Sequence, residues 1–584
     1  MAVPRTTSIS QLIANVKANV KRLRAERIRQ RPNDSSDRRP LPPSTSTIIK
    51  TMDSPDSASI SKYTSRTLDQ EIDTVAICPL HPDYMIVGTY SLVKKDTPTS
   101  YAGQTRQGSL RVMTVSSSFT PTYVGMLPPR LDRVDLPCAV LDVHFHPADP
   151  TLLGVATSNA SVYFFRFVVR GDVLGRRVTT RLLPLGRVRI SEDDEHGLTP
   201  LTTQFSWFEE ARRKGTRGVD DVMIVALAAT TSFGETSVSR LRIPAVRDVS
   251  DHRVDGHDGS IQSSCDVVHR HDLEAWSVAT INVSGSKDTE DADNGGGGGG
   301  QRLILSGGDD SAVVASFISP ATPFQSDEET LEATQLWKDR KNHAAGVVAI
   351  LPLTPPPPPP PPAPAYPLEK EKEKNAMLPQ TKTTPLLTGS YDEFLRIFEI
   401  DTQSYRASLK TELRLNGGVW RLKVLDMYTT VTDVNITPDE RGSRECQQHH
   451  YLVLASLMHA GAAIIRISYT AGPGTPGSAP HGEGTWTITP LATFSAGHES
   501  MVYCCDARLE NGNQSEGSRN DTYMGIGNGD GDWDGNWTGN RVPKGDTKAT
   551  EPPTYTIVST SFYDMKICTW TFVDEFKFQA QASS

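Results

Sequence analysis

The seven cysteines of this 584-residue chain are scattered. None forms a C-x-x-C pair, and only Cys504 and Cys505 are adjacent. That spacing argues against a zinc site or a disulfide framework and fits reduced cytosolic thiols. No apolar run approaches the roughly 20 residues of a membrane helix, and no signal-peptide pattern opens the chain. The N-x-S/T triplets at Asn282 and Asn536 are therefore read as coincidental. Positive charge is not in excess: 60 Lys and Arg stand against 69 Asp and Glu, a formal net charge of -9, which gives no nucleic-acid signal. Hydrophobic residues make up only 37% of the chain, and the deficit lies in separable polar segments, so a normal core remains feasible. The G-x-S-x-G elbow, H-E-x-x-H and the phosphate-binding G-x-x-x-x-G-K-[ST] loop are all absent. No cofactor and no metal are implied, and from local motifs alone the default is a protein-binding scaffold.

What the chain has instead is a repeat. Leu305-Ser-Gly-Gly-Asp-Asp310, Leu387-Thr-Gly-Ser-Tyr-Asp392, Leu454-Ala-Ser-Leu-Met-His459 and Val558-Ser-Thr-Ser-Phe-Tyr-Asp564 each follow an apolar run. Each also precedes another strand-like run, such as Phe394–Phe398 or Lys566–Trp570. Short strands with a small-small-x-Asp turn before the last hydrophobic strand read as blades of a β-propeller. Seven strand-rich units are countable: Ile72–Val115, one around Leu141–Phe167, one around Thr203–Leu227, and four starting near His271, His343, Leu415 and His498. The expected fold is all-β, a seven-bladed WD-repeat propeller over 63–576, with a disordered basic, Ser- and Pro-rich extension over 1–62 and a tail at 577–584. The basic stretch to Arg31 could form a helix, but reads as a solvated tail rather than a mitochondrial presequence.

Four low-complexity inserts are expected, near 285–301, 354–383, 430–448 and 507–551. The first holds the glycine tract Gly295–Gly300, and the second holds Pro355–Pro362 followed by Glu369–Lys374. The proline run reads as a spacer rather than an SH3 or WW ligand. Asp530, Asp532, Asp534 and Gly535 mimic half of a calcium loop, but Arg541 stands where a bidentate Glu is required.

The blade starts align as His271–Trp276, His343–Val348, Leu415–Trp420 and His498–Tyr503, with Gly497-His498 the pair typical of WD repeats. The blade-start His is expected to bond to the turn Asp, making Asp310, Asp392 and Asp564 structural. The sixth blade opens with Leu415 and carries His459 at the turn instead of Asp. That imidazole is free of the usual duty and available for proton transfer, or it simply caps a turn. Trp276, Trp420 and Tyr503 share one register at the start of the innermost strand, near the channel mouth. Rings converging there can hold a quaternary ammonium group by cation–π attraction, or serve only inter-blade packing.

These residues resemble the WD-repeat diphthine methyl ester hydrolase family of diphthamide biosynthesis. The motifs that carry it are Glu274-Ala-Trp276, Ser306–Asp310, Thr388–Glu393, Gly417–Leu422, Met458-His459, Val502-Tyr503 with Asp506, and Ser561–Asp564. The resemblance covers 265–572, is weak over 63–264 and absent from the first 60 residues; Ser316 departs from it, standing where an aromatic residue usually closes the repeat. It implies an esterase that removes one methyl from over-methylated diphthine on translation elongation factor 2, before amidation. It also implies a cytoplasmic protein whose partner is that factor, with other diphthamide-pathway proteins as further candidate partners, and without direct nucleic-acid or membrane contact. The family motifs fix no catalytic roles. The candidates named here are His459 as general base, with Glu274 and His343 behind it, and Trp276, Trp420, Tyr503, Tyr391 and Asp506 for substrate binding. The alternative is a noncatalytic propeller that scaffolds the same pathway or another complex.

Overall fold

The computed structural model describes residues 63–93, 105–116, 126–214, 222–244, 261, 263–283, 301–319, 331–356, 383–434, 444–472, 482–510 and 551–583. Val, Ile, Leu and Thr dominate its strands, residues whose branched or bulky side chains suit a pleated surface. The strands form seven four-stranded antiparallel sheets. Blade 1 comprises Glu71–Ile77, Tyr84–Val93, Thr105–Thr114 and Arg133–Leu136, and blade 2 comprises Val140–His146, Asp149–Thr157, Ser161–Gly171 and Val178–Arg189. Blade 3 comprises Thr202–Lys214, Val222–Thr231, Glu235–Pro244 and Ser263–Arg270, and blade 4 comprises Ala275–Val283, Gln301–Gly308, Val313–Ser319 and Glu332–Asp339. Blade 5 comprises Val347–Pro352, Thr383–Ser390, Phe394–Asp401 and Ala407–Arg414, and blade 6 comprises Arg421–Val434, Arg444–Ser456, Ala462–Gly472 and Gly482–Phe494. Blade 7 takes Val502–Leu509, Thr554–Ser561 and Lys566–Val573 from the end of the chain. Its outermost strand is Tyr63–Thr67 from the beginning, paired antiparallel from Tyr63↔Trp570 to Thr67↔Lys566.

The first strands of successive blades lie side by side, blade 7 against blade 1 included, so the ring closes around a central channel. There is no single core. Seven apolar clusters fill the seven inter-blade interfaces; the one joining blade 7 to blade 1 holds Ile72, Val75, Cys504, Val558 and Ile567. This packing explains the small residues of the turn motif. A Cβ on Gly307 would lie 2.6 Å from the carbonyl of Val347, on the first strand of the next blade, and one on Gly389 would lie 2.5 Å from Val419, just before the first strand of the next blade.

Blade 4 solves the missing closing aromatic in its own way. In blade 7, Trp570 Nε1 donates to Ser559 Oγ (3.2 Å), which also contacts His498 Nε2. In blade 4, Ser316 leaves that space to His269, from the outer strand of blade 3. The His269 ring nitrogens contact Ser316 Oγ (2.7 Å) and Ser306 Oγ (2.6 Å), and Ser306 also meets His271. His271 Nδ1 reaches Asp310 Oδ1 at 2.8 Å, as expected for a blade-start histidine. Asp392 and Asp564 are structural by other means. Asp392 accepts from Ala344 N and Phe394 N and pairs with Arg396, and Asp564 accepts from Glu499 N and Ser500 Oγ.

Two sequence expectations need correction. Much of 430–448 is not loop: the first two strands of blade 6 continue as a regular ladder to Val434↔Arg444. Thr429, Thr430, Val431 and Thr432 are β-branched, and pairing satisfies their backbone. Nor is 577–584 a plain tail, because Glu575–Ser583 is helical. Phe576 lies under the Arg466 guanidinium at 3.6 Å and edge-on to His450, and Lys577 Nζ pairs with Asp426 at 2.5 Å. The basic extension, the glycine tract, Glu369–Lys374 and the half calcium loop lie outside the described residues.

Candidate functional site at the channel mouth

Six of the seven first strands carry a register shift near their start: at the third residue, Asp73, in blade 1, and at the second, Leu141, Thr203, Trp276, Val348 and Tyr503, in blades 2, 3, 4, 5 and 7. A bulge leaves its extra residue out of the ladder and re-aims the side chain. In blade 6 the equivalent residue is Trp420, whose N donates to the Ser456 carbonyl (3.0 Å) while Arg421 N donates to Ser456 Oγ (3.0 Å). A second tier comes from the turn after each second strand. Asp309 N donates to the Glu274 carbonyl, Tyr391 N to Gly346, and Phe562 N to Met501, placing Asp309, Tyr391 and Phe562 at one position beside the bulge residues. Tyr90, paired with Glu71, supplies that position in blade 1.

The two tiers assemble an aromatic arc. Trp420 lies 5.7 Å from Trp276, 5.8 Å from Tyr391 and 4.9 Å from Tyr503, between ring centroids. Tyr503 continues to Phe562 at 5.4 Å, and Phe562 to Tyr90 at 5.6 Å and Tyr563 at 5.0 Å. The arc thus runs through blades 4, 5, 6, 7 and 1. Blades 2 and 3 offer only Leu141, Thr203 and the turn residues Ser158 and Ser232 to this end. The rings touch one another, so no ammonium-sized hole separates them; a ligand would lie over their shared surface. Trp276 is 8% exposed, whereas Tyr391, Trp420 and Tyr503 keep open faces. The protein's own Arg421 lies over Trp420 at 5.5 Å, with its guanidinium donating to the Val348 and Trp420 carbonyls.

Acids stand at both ends of the arc. At the blade 4 end, burial pushes the Asp309 carboxyl up to about 7; the Trp276 indole opposes the shift, while Glu274 and Asp310 add to it. Asp309 Oδ1 and Trp276 Nε1 are both buried, and among the described residues neither makes a hydrogen bond of ordinary geometry, although the indole lies close enough to favour the carboxylate. At the blade 1 end, burial likewise pushes Asp73 up to about 7, against the pull of Arg421 and with help from Asp142. Burial also raises the Tyr391 and Tyr503 phenols well above their ordinary value, Asp309 adding to the first and Tyr563 and Asp73 to the second.

Trp276, Tyr391, Trp420 and Tyr503 are therefore brought together, with Glu274 beside Asp309 and Tyr391. The other candidates are not. His343 is buried in blade 5, stacked on Phe398 at 5.9 Å with Nε2 2.9 Å from Thr388 Oγ1, and burial lowers it to about 4. His459 sits on the turn after the second strand of blade 6, its side chain 39% exposed, with Nε2 3.9 Å from Glu393. Asp506 is occupied: Oδ2 accepts from Ile77 N and Oδ1 from Ala507 N, each at 2.7 Å, and Lys423 pairs with Oδ1, so the carboxylate ties blades 6, 7 and 1. Sequence reasoning missed Tyr90, which its pairing with Glu71 places, and it also missed Asp73, Asp309 and Phe562. The signal of these last three was present: Ile72-Asp-Thr74 aligns with Ala275-Trp-Ser277, and Asp309, Tyr391 and Phe562 align within the turn motif.

No protein-family model and no curated protein matches the chain. Among solved structures, Sqt1 from Chaetomium thermophilum bound to the N-terminus of ribosomal protein L10 aligns with TM-score 0.36 and 12% identity over 86% of this chain and 97% of that one. A second Sqt1 structure from the same organism gives TM-score 0.36 and 11% identity over the same shares. At these values the propeller assignment rests on the chain's own sheet order and ring closure.

Proposed function

We propose that the channel mouth recognises a methylated ammonium group on a protein partner, and that the reaction performed there is hydrolysis of the methyl ester of diphthine on elongation factor 2 in the cytoplasm. The observation that carries the reading is a continuous arc in which Trp276 and Tyr391 both meet Trp420, followed by Tyr503, Phe562 and Tyr90, with carboxyls at both ends. Aromatic faces attract a quaternary cation through their quadrupoles, more strongly where water is excluded. Hydrolysis adds water across the ester: the oxygen bonds to the carbonyl carbon, the bond to the methoxy group breaks, and methanol and a carboxylate leave. Of the three catalytic candidates, Glu274 is the one beside the arc, and it is the base favoured for the attacking water. The purified full chain, incubated with elongation factor 2 carrying methylated diphthine, should release methanol in step with loss of one methyl from the factor. A Glu274→Gln variant should retain the factor and release methanol about 10²–10⁴-fold more slowly.

A second reading, a noncatalytic scaffold, is favoured by the dispersal of His459, His343 and Glu274 over three separate places. Stable capture of the modified factor with no methanol release would select it.

A further inference from the structure

Asp73 stands at the blade 1 end of the arc as Asp309 stands at the blade 4 end, and it differs from the acids that hold the ring together. Asp142 contacts His144 and accepts from Phe205 N, Asp506 ties three blades, and Asp310 is held by His271 and Lys338. Asp73 has neither a hydrogen bond nor an ion pair among the described residues, and it keeps part of its surface open. It occupies the bulge position that places Trp276 and Tyr503 in the arc, in a blade where that position carries no ring. A half-buried carboxyl without a partner is partly desolvated, which disfavours its charged form. A chain that retains one at the rim of an aromatic surface has placed it where a ligand can reach it.

We infer that Asp73 is the ligand's counter-charge: the cationic head lies over the Trp420–Tyr503 surface with the Asp73 carboxylate against it. This rests on the reading of the mouth as an ammonium site, and not on hydrolysis. The charged and titratable groups around Asp73 are Arg421 from blade 6, Asp142 from blade 2, Tyr503 and Tyr563 from blade 7, and Tyr90 with Glu71 from its own blade. The Arg421 guanidinium is committed to two carbonyls, so it does not neutralise Asp73 by contact. Because the free carboxyl holds its proton to about 7, cation binding must displace that proton as pH falls through neutrality.

The test uses the full chain, titrated calorimetrically at pH 6 and pH 8 with choline and with its uncharged isostere 3,3-dimethyl-1-butanol. For the wild type, choline should bind roughly fivefold to tenfold more weakly at pH 6, with the alcohol unchanged. Asp73→Asn should weaken choline about tenfold at pH 8 and flatten its pH dependence, leaving the alcohol unaffected. If that variant does not fold, the wild-type pH profile and the ratio of choline to alcohol still decide. Choline binding that ignores pH and Asp73, or a wild type that does not bind choline, overturns the assignment. Asp73-dependent choline binding without methanol release from diphthine removes the esterase reading and leaves this one standing. Methanol release with Asp73-independent choline binding does the reverse.

Discussion

Asp309 and His459 carry opposite lessons about a lone titratable side chain. Asp309 is held among Trp276, Glu274 and Asp310 and keeps its proton to about 7, against an ordinary 3.8. Between those values the native state holds more protons than the unfolded chain, so stability falls as pH rises from about 4 to about 7 and is level above. Asp309→Asn removes the cost of ionisation. It should raise unfolding free energy at pH 8 by roughly 1–3 kcal/mol, with the gain vanishing near pH 4, as read from urea unfolding at the two pH values. A variant that is less stable at pH 8 would show that the carboxylate is satisfied in the native state. His459 invites attention in sequence because it replaces the turn Asp, yet its side chain is exposed beside Glu393. Its replacement by Ala should change stability by under about 0.5 kcal/mol, the range of exposed sites, and leave methanol release within about threefold of wild type. A turnover loss of 10² or more would return it to the mechanism.

At the scale of elements, the blade 4 exchange shows how one repeat position borrows from its neighbour. Sequence marks Ser316 as a departure but does not say that His269, 47 positions away, fills the space. The two residues meet only because the outer strand of blade 3 runs beside blade 4, which is a fact of ring packing. His269→Ala should remove the contact to Ser316 and leave Ser306 with His271 alone, at a cost of about 1–3 kcal/mol by chemical denaturation. Restoring an aromatic with Ser316→Trp in that background should recover part of the loss, whereas no recovery would mean that the site cannot take the ring. The C-terminal helix is a second case. Its polar, weakly amphipathic sequence resembles a solvated tail, and what orders it is the seat formed by Asp426, Arg466 and His450. Ending the chain at Asp574 should lower stability by about 1–2 kcal/mol through loss of the Arg466–Phe576 and Lys577–Asp426 contacts.

For the whole molecule, closure depends on a single short strand. Tyr63–Thr67 completes blade 7 and packs Tyr63 edge-on to Phe494 at 5.4 Å. A chain starting at residue 62 should unfold like the full-length protein, and one starting at residue 70 should lose cooperative unfolding or aggregate through the bared edge. Differential scanning calorimetry of the two truncations separates these outcomes, and equal behaviour would show that the ring closes without the strand. The sequence by itself determined the fold class and blade number, because the turn motif repeats the same local physics: a small residue where the next blade's backbone passes, then an acid that accepts backbone N–H groups. It also placed Trp276, Trp420 and Tyr503 in one register, because each repeat presents the same position at the start of its first strand. The tertiary structure alone decided which side chains share the mouth, since Tyr90, Asp73 and Tyr503 come from opposite ends of the chain and meet only when blade 7 closes on blade 1. It alone decided which acids are spent on holding blades together and which stand free, because burial and pairing belong to the assembled ring and not to any repeat.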